Sequence, residues 1–192
     1  MTKTTFDPQK ILFPLPVSLV VTGTMERANI VTIAWVSLLT SKPPTLGISV
    51  GTRGFSGEEI LKNKHFTVNI AGVDIMEQAD FCGITSGRDM DKFEKTGLTP
   101  LPSHIIASPM IGECPLNFEC ELTESSVVGT TNHFTGRILK VHMDSDKLRD
   151  QGDPRSFDVA AMDPLVYIGG AREYRRLGQK VGDAYQVGKK LS

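Results

Sequence analysis

Residues 51–57 read Gly-Thr-Arg-Gly-Phe-Ser-Gly and run into Glu58-Glu59-Ile60-Leu61. Those residue types suit the holding of a phosphate monoester. A helix start carries unpaired backbone N–H groups and a partial positive charge. Thr52 and Ser56 add hydroxyl donors, Arg53 adds a forked full charge, and Gly51, Gly54 and Gly57 let the backbone approach an oxyanion. The helix start is read from Ser56 as N-cap with Glu59 three residues on, a capping box. A plainer alternative leaves Ser56 only capping its helix and Arg53 solvated. The Gly-Lys-Ser/Thr spacing of a Walker loop is absent.

Upstream, a strand over residues 30–37 passes through Thr40-Ser41-Lys42-Pro43-Pro44 into a second strand, 45–50, which empties into that loop. Trp35 is the chain's one tryptophan. The backbone beside it could read the polar edge of a flat heterocycle, with small Ala34 letting the ring come close. The alternative is a tryptophan serving the core or an interface.

Other chemistries find less support. Cys82, Cys114 and Cys120 are an odd number with no Cys-x-x-Cys spacing, which argues against a disulfide framework and a zinc site. Cys114 and Cys120, an even number of positions apart on one expected strand, would share a face. His65, His104 and His142 lack partners at ligand spacing, so no metal site is expected. Asp89, Asp91 and Glu94 with Arg88, Lys92 and Lys95 read as solvated charge. With 21 basic and 22 acidic side chains, there is no global field for nucleic acid or an anionic membrane. The first residues lack the apolar core of a secretory signal and no apolar run is long enough to span a bilayer, so a cytoplasmic protein is expected.

These groups need a scaffold, and the scaffold reads as β-rich. Segments 18–22, 30–35, 45–50, 65–70, 116–122, 133–143 and 165–168 are β-prone and many are bounded by turn residues. Helices look few and short: one from Ser56, one from Asp74 by a second capping box with Glu77, and one over 89–96 ending at Gly97. No repeat or linker divides the chain, so a single domain over 1–192 is expected. The prolines between 97 and 114 suggest a connection wrapping a barrel.

The succession of motifs resembles a known family. Asn29-Ile30-Val31-Thr32-Ile33-Ala34-Trp35-Val36-Ser37, Ser41-Lys42-Pro43-Pro44, Ser49-Val50-Gly51-Thr52-Arg53 and Phe66-Thr67-Val68-Asn69-Ile70 are similar to the flavin reductase-like family, flavoredoxin branch. Phe81-Cys82-Gly83, Ser86-Gly87-Arg88, Cys114-Pro115-Leu116-Asn117 and His133-Phe134-Thr135-Gly136-Arg137 continue the likeness in order and spacing. The resemblance implies a mainly β fold, a six-stranded Greek-key split barrel with a few short helices, and a homodimer holding flavin mononucleotide (FMN) near the subunit interface. It places Thr32, Ile33, Ala34 and Trp35 against the isoalloxazine, Ser49, Val50 and Gly51 along the ring edge and ribityl chain, and Thr52, Arg53 and Ser56 at the phosphate. His133 is expected near the flavin's reactive face, the alternative being a strand-end histidine satisfied by a turn. Cys82 is expected to pack rather than react. The tail, about 172–192, is expected to cover the site or reach the partner subunit.

The implied function is an oxidoreductase that accepts a hydride from NAD(P)H and passes electrons to free flavin, a ferric chelate or a protein. The alternative is a non-enzymatic FMN electron carrier exchanging electrons with redox proteins. Either leaves the hard chemistry to the cofactor and fits a chain without a Ser–His–Asp or paired-acid constellation.

Overall fold

A computed structural model describes residues 1–191. In chain order the strands and helices are β1 (Leu15–Pro16), β2 (Ser18–Gly23), β3 (Ala28–Ile33), β4 (Val36–Ser41), β5 (Pro44–Gly51), α1 (Phe55–Asn63), β6 (His65–Ile70), α2 (Met76–Ile84), α3 (Lys92–Thr96), β7 (Pro100–Leu101) and β8 (Met110–Ile111). They continue with β9 (Leu116–Val128), β10 (Thr131–Met143), α4 (Val159–Met162), β11 (Leu165–Ile168) and β12 (Glu173–Arg176). Among the described residues no helix is long and apolar enough to cross a membrane.

Seven strands form one antiparallel sheet in the order β3-β2-β6-β9-β10-β5-β4. Its edges, β3 and β4, are consecutive in the chain and joined only by Ala34 and Trp35. Laid flat, six strand spacings of about 4.8 Å would hold those edges roughly 29 Å apart, whereas the link from Ile33 to Val36 spans at most about 11 Å. The sheet must therefore curl until its edges meet. The backbone N–H of Ser49 on β5 donates to the Trp35 carbonyl at 3.0 Å and fastens the junction.

Period-two alternation supplies two apolar cores. On β2, Val20 points into the barrel with Ile48, Phe66, Cys120 and Phe134. Its neighbours Leu19 and Val21 point outward to a second core with Ile30, Ala79, Cys82, Ile111 and Leu165. The outer core receives α2, α3 and the small sheets β1-β11-β12 and β7-β8. The fold is the mainly β, short-helixed split barrel expected.

Several details differ from expectation. The segment 30–37 is two strands, because the chain bends at Ala34–Trp35 and each half joins a different edge; the principal sheet thus has seven strands rather than six. Neither capping box forms. The first helix takes Gly54 as N-cap with no side-chain bond, and the Ser56 hydroxyl is turned inward. Asp74 lies in a 3-10 turn, Val73–Ile75, and α2 begins after Ile75 without a side-chain cap. Cys114 precedes β9 and packs in the outer core, while Cys120 packs inside the barrel, so they share no face. Lys92 is not solvated: only 3% exposed, it donates from Nζ to the carbonyls of Ile30 and Cys82, both at 2.8 Å. Those bonds tie the α2–α3 region to β3. Gly97, with φ 70°, closes α3 as expected.

The connection 97–114 is held by a carboxylate rather than by prolines. Glu119 of β9, fully buried, accepts the backbone N–H groups of His104 and Ile105 at 2.8 Å and of Ile106 at 3.1 Å. It also accepts His142 Nε2 at 2.7 Å. Burial pushes this carboxyl up, but the His104 N–H, the His142 ring and the other two amides outweigh it and hold the group below its ordinary value.

Candidate functional site

The bend that closes the barrel also opens a cavity of about 1020 Å³. One wall is the bend itself, with Ala34, Trp35, Ser37 and Leu39. A second is β5 and β10, with Gly47, Ile48, Ser49, His133, Phe134 and Thr135. The third comes from the N-terminal arm at Lys10, Ile11 and Leu12 together with Tyr167 and the turn Gly169–Gly170–Arg172. Arm and turn are packed without slack: a Cβ on Gly169 would stand 2.6 Å from the Leu12 carbonyl oxygen.

Trp35 is 49% exposed and its indole N–H has no hydrogen bond among the described residues. A large flat side chain left open at a cavity wall offers a surface on which another ring can lie. Opposite it, the sheet register places His133 directly across from Ser49, and His133 Nδ1 lies 3.0 Å from Ser49 Oγ. His133 is therefore satisfied by a neighbouring strand rather than by a turn, and its other ring nitrogen remains available to a ligand.

The phosphate-type loop lies at the end of β5, immediately beyond the cavity wall. Its parts are not equally free. Thr52 donates both its backbone N–H, at 3.0 Å, and its hydroxyl, at 3.2 Å, to the Thr130 carbonyl of the facing hairpin turn. Ser56 is buried and its hydroxyl accepts Asn29 Nδ2 at 2.7 Å. Arg53 is exposed and makes no ion pair or hydrogen bond among the described residues. The backbone N–H groups of Phe55 and Ser56, opening α1, also take no partner there.

The eleven sequence-picked residues thus divide. Ala34, Trp35, Ser49 and His133 meet at the cavity. Gly51, Thr52, Arg53 and Ser56 form the adjoining loop. Ile33 and Val50 commit their side chains to the barrel core, leaving only backbone for a ligand. Thr32 turns the other way: its hydroxyl donates to the Ala79 carbonyl, and a Cβ on Gly83 would lie 3.2 Å from Thr32 Cβ. The tail enters the cavity wall through Arg172, while residues 177–191 are exposed. Cys82 is fully buried, and burial pushes its thiol up to about 11 despite the pull of Lys92, so it is an inert packing group.

Sequence reading overlooked Asn29, Lys10, Tyr167 and Arg172. Asn29 is 7% exposed, and its Oδ1 is the one buried side-chain polar atom without a partner among the described residues. It lies beside a smaller recess of about 310 Å³ with Phe55 and Arg88. An asparagine at the second position of a strand carries no signal of this kind, and Lys10 and Arg172 come to one cavity only through the tertiary fold.

An FMN-type ligand fits these groups. The cavity reaches the upper end of the roughly 300–1,000 Å³ usual for small-molecule sites. The unpaired Arg53 and the free N–H groups of Phe55 and Ser56 suit a phosphate, and the orphaned Asn29 oxygen suits a hydroxyl donor.

Comparison with known proteins gives the same direction. Residues 11–178 match the model of the flavin reductase like domain. The structure is similar to the flavoredoxin of Desulfovibrio vulgaris (Miyazaki F), with 31% identity, TM-score 0.89, and coverage of 97% of this chain and 100% of that one. It is equally similar to the flavoredoxin from Methanosarcina acetivorans, at 30% identity and TM-score 0.89 over the whole of both chains. An uncharacterized protein of Archaeoglobus fulgidus is 32% identical over 137 residues, 71% of this chain and 77% of that protein. The chain belongs to the flavin reductase-like split-barrel family, on its flavoredoxin branch.

Proposed function

We propose that the chain binds one FMN per subunit and works as an NAD(P)H-dependent oxidoreductase delivering electrons to free flavin, a ferric chelate or a protein. The observation that carries this reading is the juxtaposition of an open Trp35 and a Ser49-held His133 in one cavity, next to a loop whose Arg53 has no partner among the described residues. Arg53 and the helix-start amides would hold the phosphate; Trp35 and the backbone of residues 32–35 and 49–51 would hold the rings and ribityl chain. When bound, FMN supplies a ring system that takes up a hydride and gives up electrons singly or in pairs.

The protein's part is orientation. The Ser49 hydroxyl fixes the His133 ring, so that its second nitrogen can orient a nicotinamide or an acceptor. Rings bound there would lie against the apolar side chains of the cavity, Trp35, Leu39 and Ile48, and lose water from the faces so covered. We also place a second copy of the chain along β4, an edge strand whose Leu38 is 75% exposed.

The likeness to two flavoredoxins favours a second reading, an FMN electron carrier exchanging electrons with redox proteins without nicotinamide chemistry. Anaerobic stopped-flow separates them. Bleaching of the flavin by NADH or NADPH at a turnover-competent rate supports the reductase. Inertness to both, with ready reduction by a protein donor, supports the carrier.

A further inference from the structure

Two cations stand at the large cavity with nothing among the described residues to neutralise them. Lys10, on the N-terminal arm, and Arg172, on the turn after β11, both line it, and neither side chain makes a hydrogen bond or ion pair among the described residues. Most of the arginines, by contrast, are paired. Arg175 and Arg176, a few positions on, pair with Glu173 and Asp163, and Arg88, Arg137, Arg149 and Arg155 each pair with a carboxylate as well. Among the described residues no Asp or Glu lines the cavity, although the chain has 22 acidic side chains.

The placement is built into the fold. Arg172 has a left-handed φ of 58°, and its N–H donates to the Ile168 carbonyl at 3.0 Å. The close approach of Gly169 to Leu12 holds that turn against the arm that carries Lys10, so both cations share one rim. The same cavity offers flat or apolar side chains, among them Trp35, Tyr167, Leu12 and Leu39. A positive rim over apolar walls selects a flat ring bearing an anionic substituent, since the charge is attracted at the mouth while the ring leaves water.

We propose that this cavity admits a flat-ringed carboxylate or phosphate ester, its ring against Tyr167 and Leu12, clear of the Trp35 face assigned to the flavin, and its charge between Lys10 and Arg172. The proposal deepens the redox reading, on which it rests, by naming the anionic class of the molecule that exchanges electrons there. With a volume of about 1020 Å³ the cavity has room for such a guest.

Because Trp35 is the only tryptophan, its fluorescence reports the cavity directly. Three probes share a flat, quenching body: para-nitrobenzoate, para-nitrophenyl phosphate and the neutral para-nitrobenzamide. Each is titrated into the flavin-free protein and into the oxidised, FMN-loaded protein, where the long-wavelength flavin band is a second readout. At low salt the anions should bind about tenfold tighter than the amide, and added salt should erode that advantage. The tighter of the two anions identifies the favoured group. The double variant Lys10→Gln/Arg172→Gln, at exposed positions that fold without these charges, should lose the advantage and keep its affinity for the amide. Equal binding of all three probes, or an anion preference unchanged in the variant, would overturn the proposal. So would a variant that loses FMN but not riboflavin, because the cations would then serve the cofactor's own phosphate. A protein that takes up no FMN yet retains the anion preference would sink the redox reading and leave the anion site standing.

Discussion

Two polar regions of this barrel are built on opposite terms. Around β6 and β9 the buried polar atoms close on one another. Glu119 takes three backbone amides and His142, while Asn69 donates to the Leu19 carbonyl and accepts from Ile111 and Asn117. From β3 through the Ala34–Trp35 bend to the loop after β5 and the facing β10 the accounts stay open: the Asn29 oxygen, the Arg53 guanidinium, the Trp35 indole and the second nitrogen of His133 have no partner among the described residues. Of these the Asn29 oxygen is the buried one, and a buried polar atom without a partner costs stability until a ligand or water completes it. The first region holds the barrel; the second waits for a guest.

The largest expected effect tests the closed region. Glu119→Ala removes the acceptor of four hydrogen bonds at a fully buried position and should cost about 3 kcal/mol or more in urea unfolding. The pH dependence has a definite sign. A carboxyl held below its ordinary value in the folded state stabilises above the unfolded pKa, about 4.3, and loses that contribution as pH falls through the folded one. Wild-type stability should thus drop steeply below about pH 4.3, and the Glu119→Ala variant should show a shallower acid limb.

The open region should answer in ligand binding instead. Arg53→Ala should weaken FMN by roughly ten- to a hundredfold, the size of one or two charge-assisted hydrogen bonds, with riboflavin affinity unchanged. Equal losses for both ligands in isothermal titration would remove Arg53 from the phosphate. His133→Ala should leave FMN bound and slow electron transfer by about tenfold in stopped-flow, less than the loss of a proton-transferring group. Identical reduction and reoxidation rates would mean that His133 is a strand contact only. Smallest is Asn29→Ala, which removes one satisfied bond to Ser56 and one orphaned atom together, for about 1 kcal/mol or less in the flavin-free protein.

The contrast also explains what could be read in the chain. Strands β6 and β11 were legible to the residue, because runs of β-prone residues and bounding turns are local. The bend at Ala34–Trp35 was not, since Val31 through Val36 are as β-prone as any strand and only barrel closure breaks them. Ser56 looked like a cap, yet its hydroxyl is claimed by Asn29, 27 residues away. Lys92 looked solvated, because no local pattern foretells two carbonyls from β3 and α2 converging on its ammonium. Trp35, Ser49 and His133 were found through family resemblance, and the β5–β10 register explains why they meet. Lys10 and Arg172, 162 positions apart, have no signal short of the fold itself.

The central claim is that the open region is a flavin mononucleotide site. Titration of the flavin-free protein with FMN, followed by the fluorescence of Trp35, tests it most directly. The expected result is saturable quenching at one FMN per chain. Fluorescence that ignores FMN at large excess, in protein that unfolds cooperatively in urea, would contradict it.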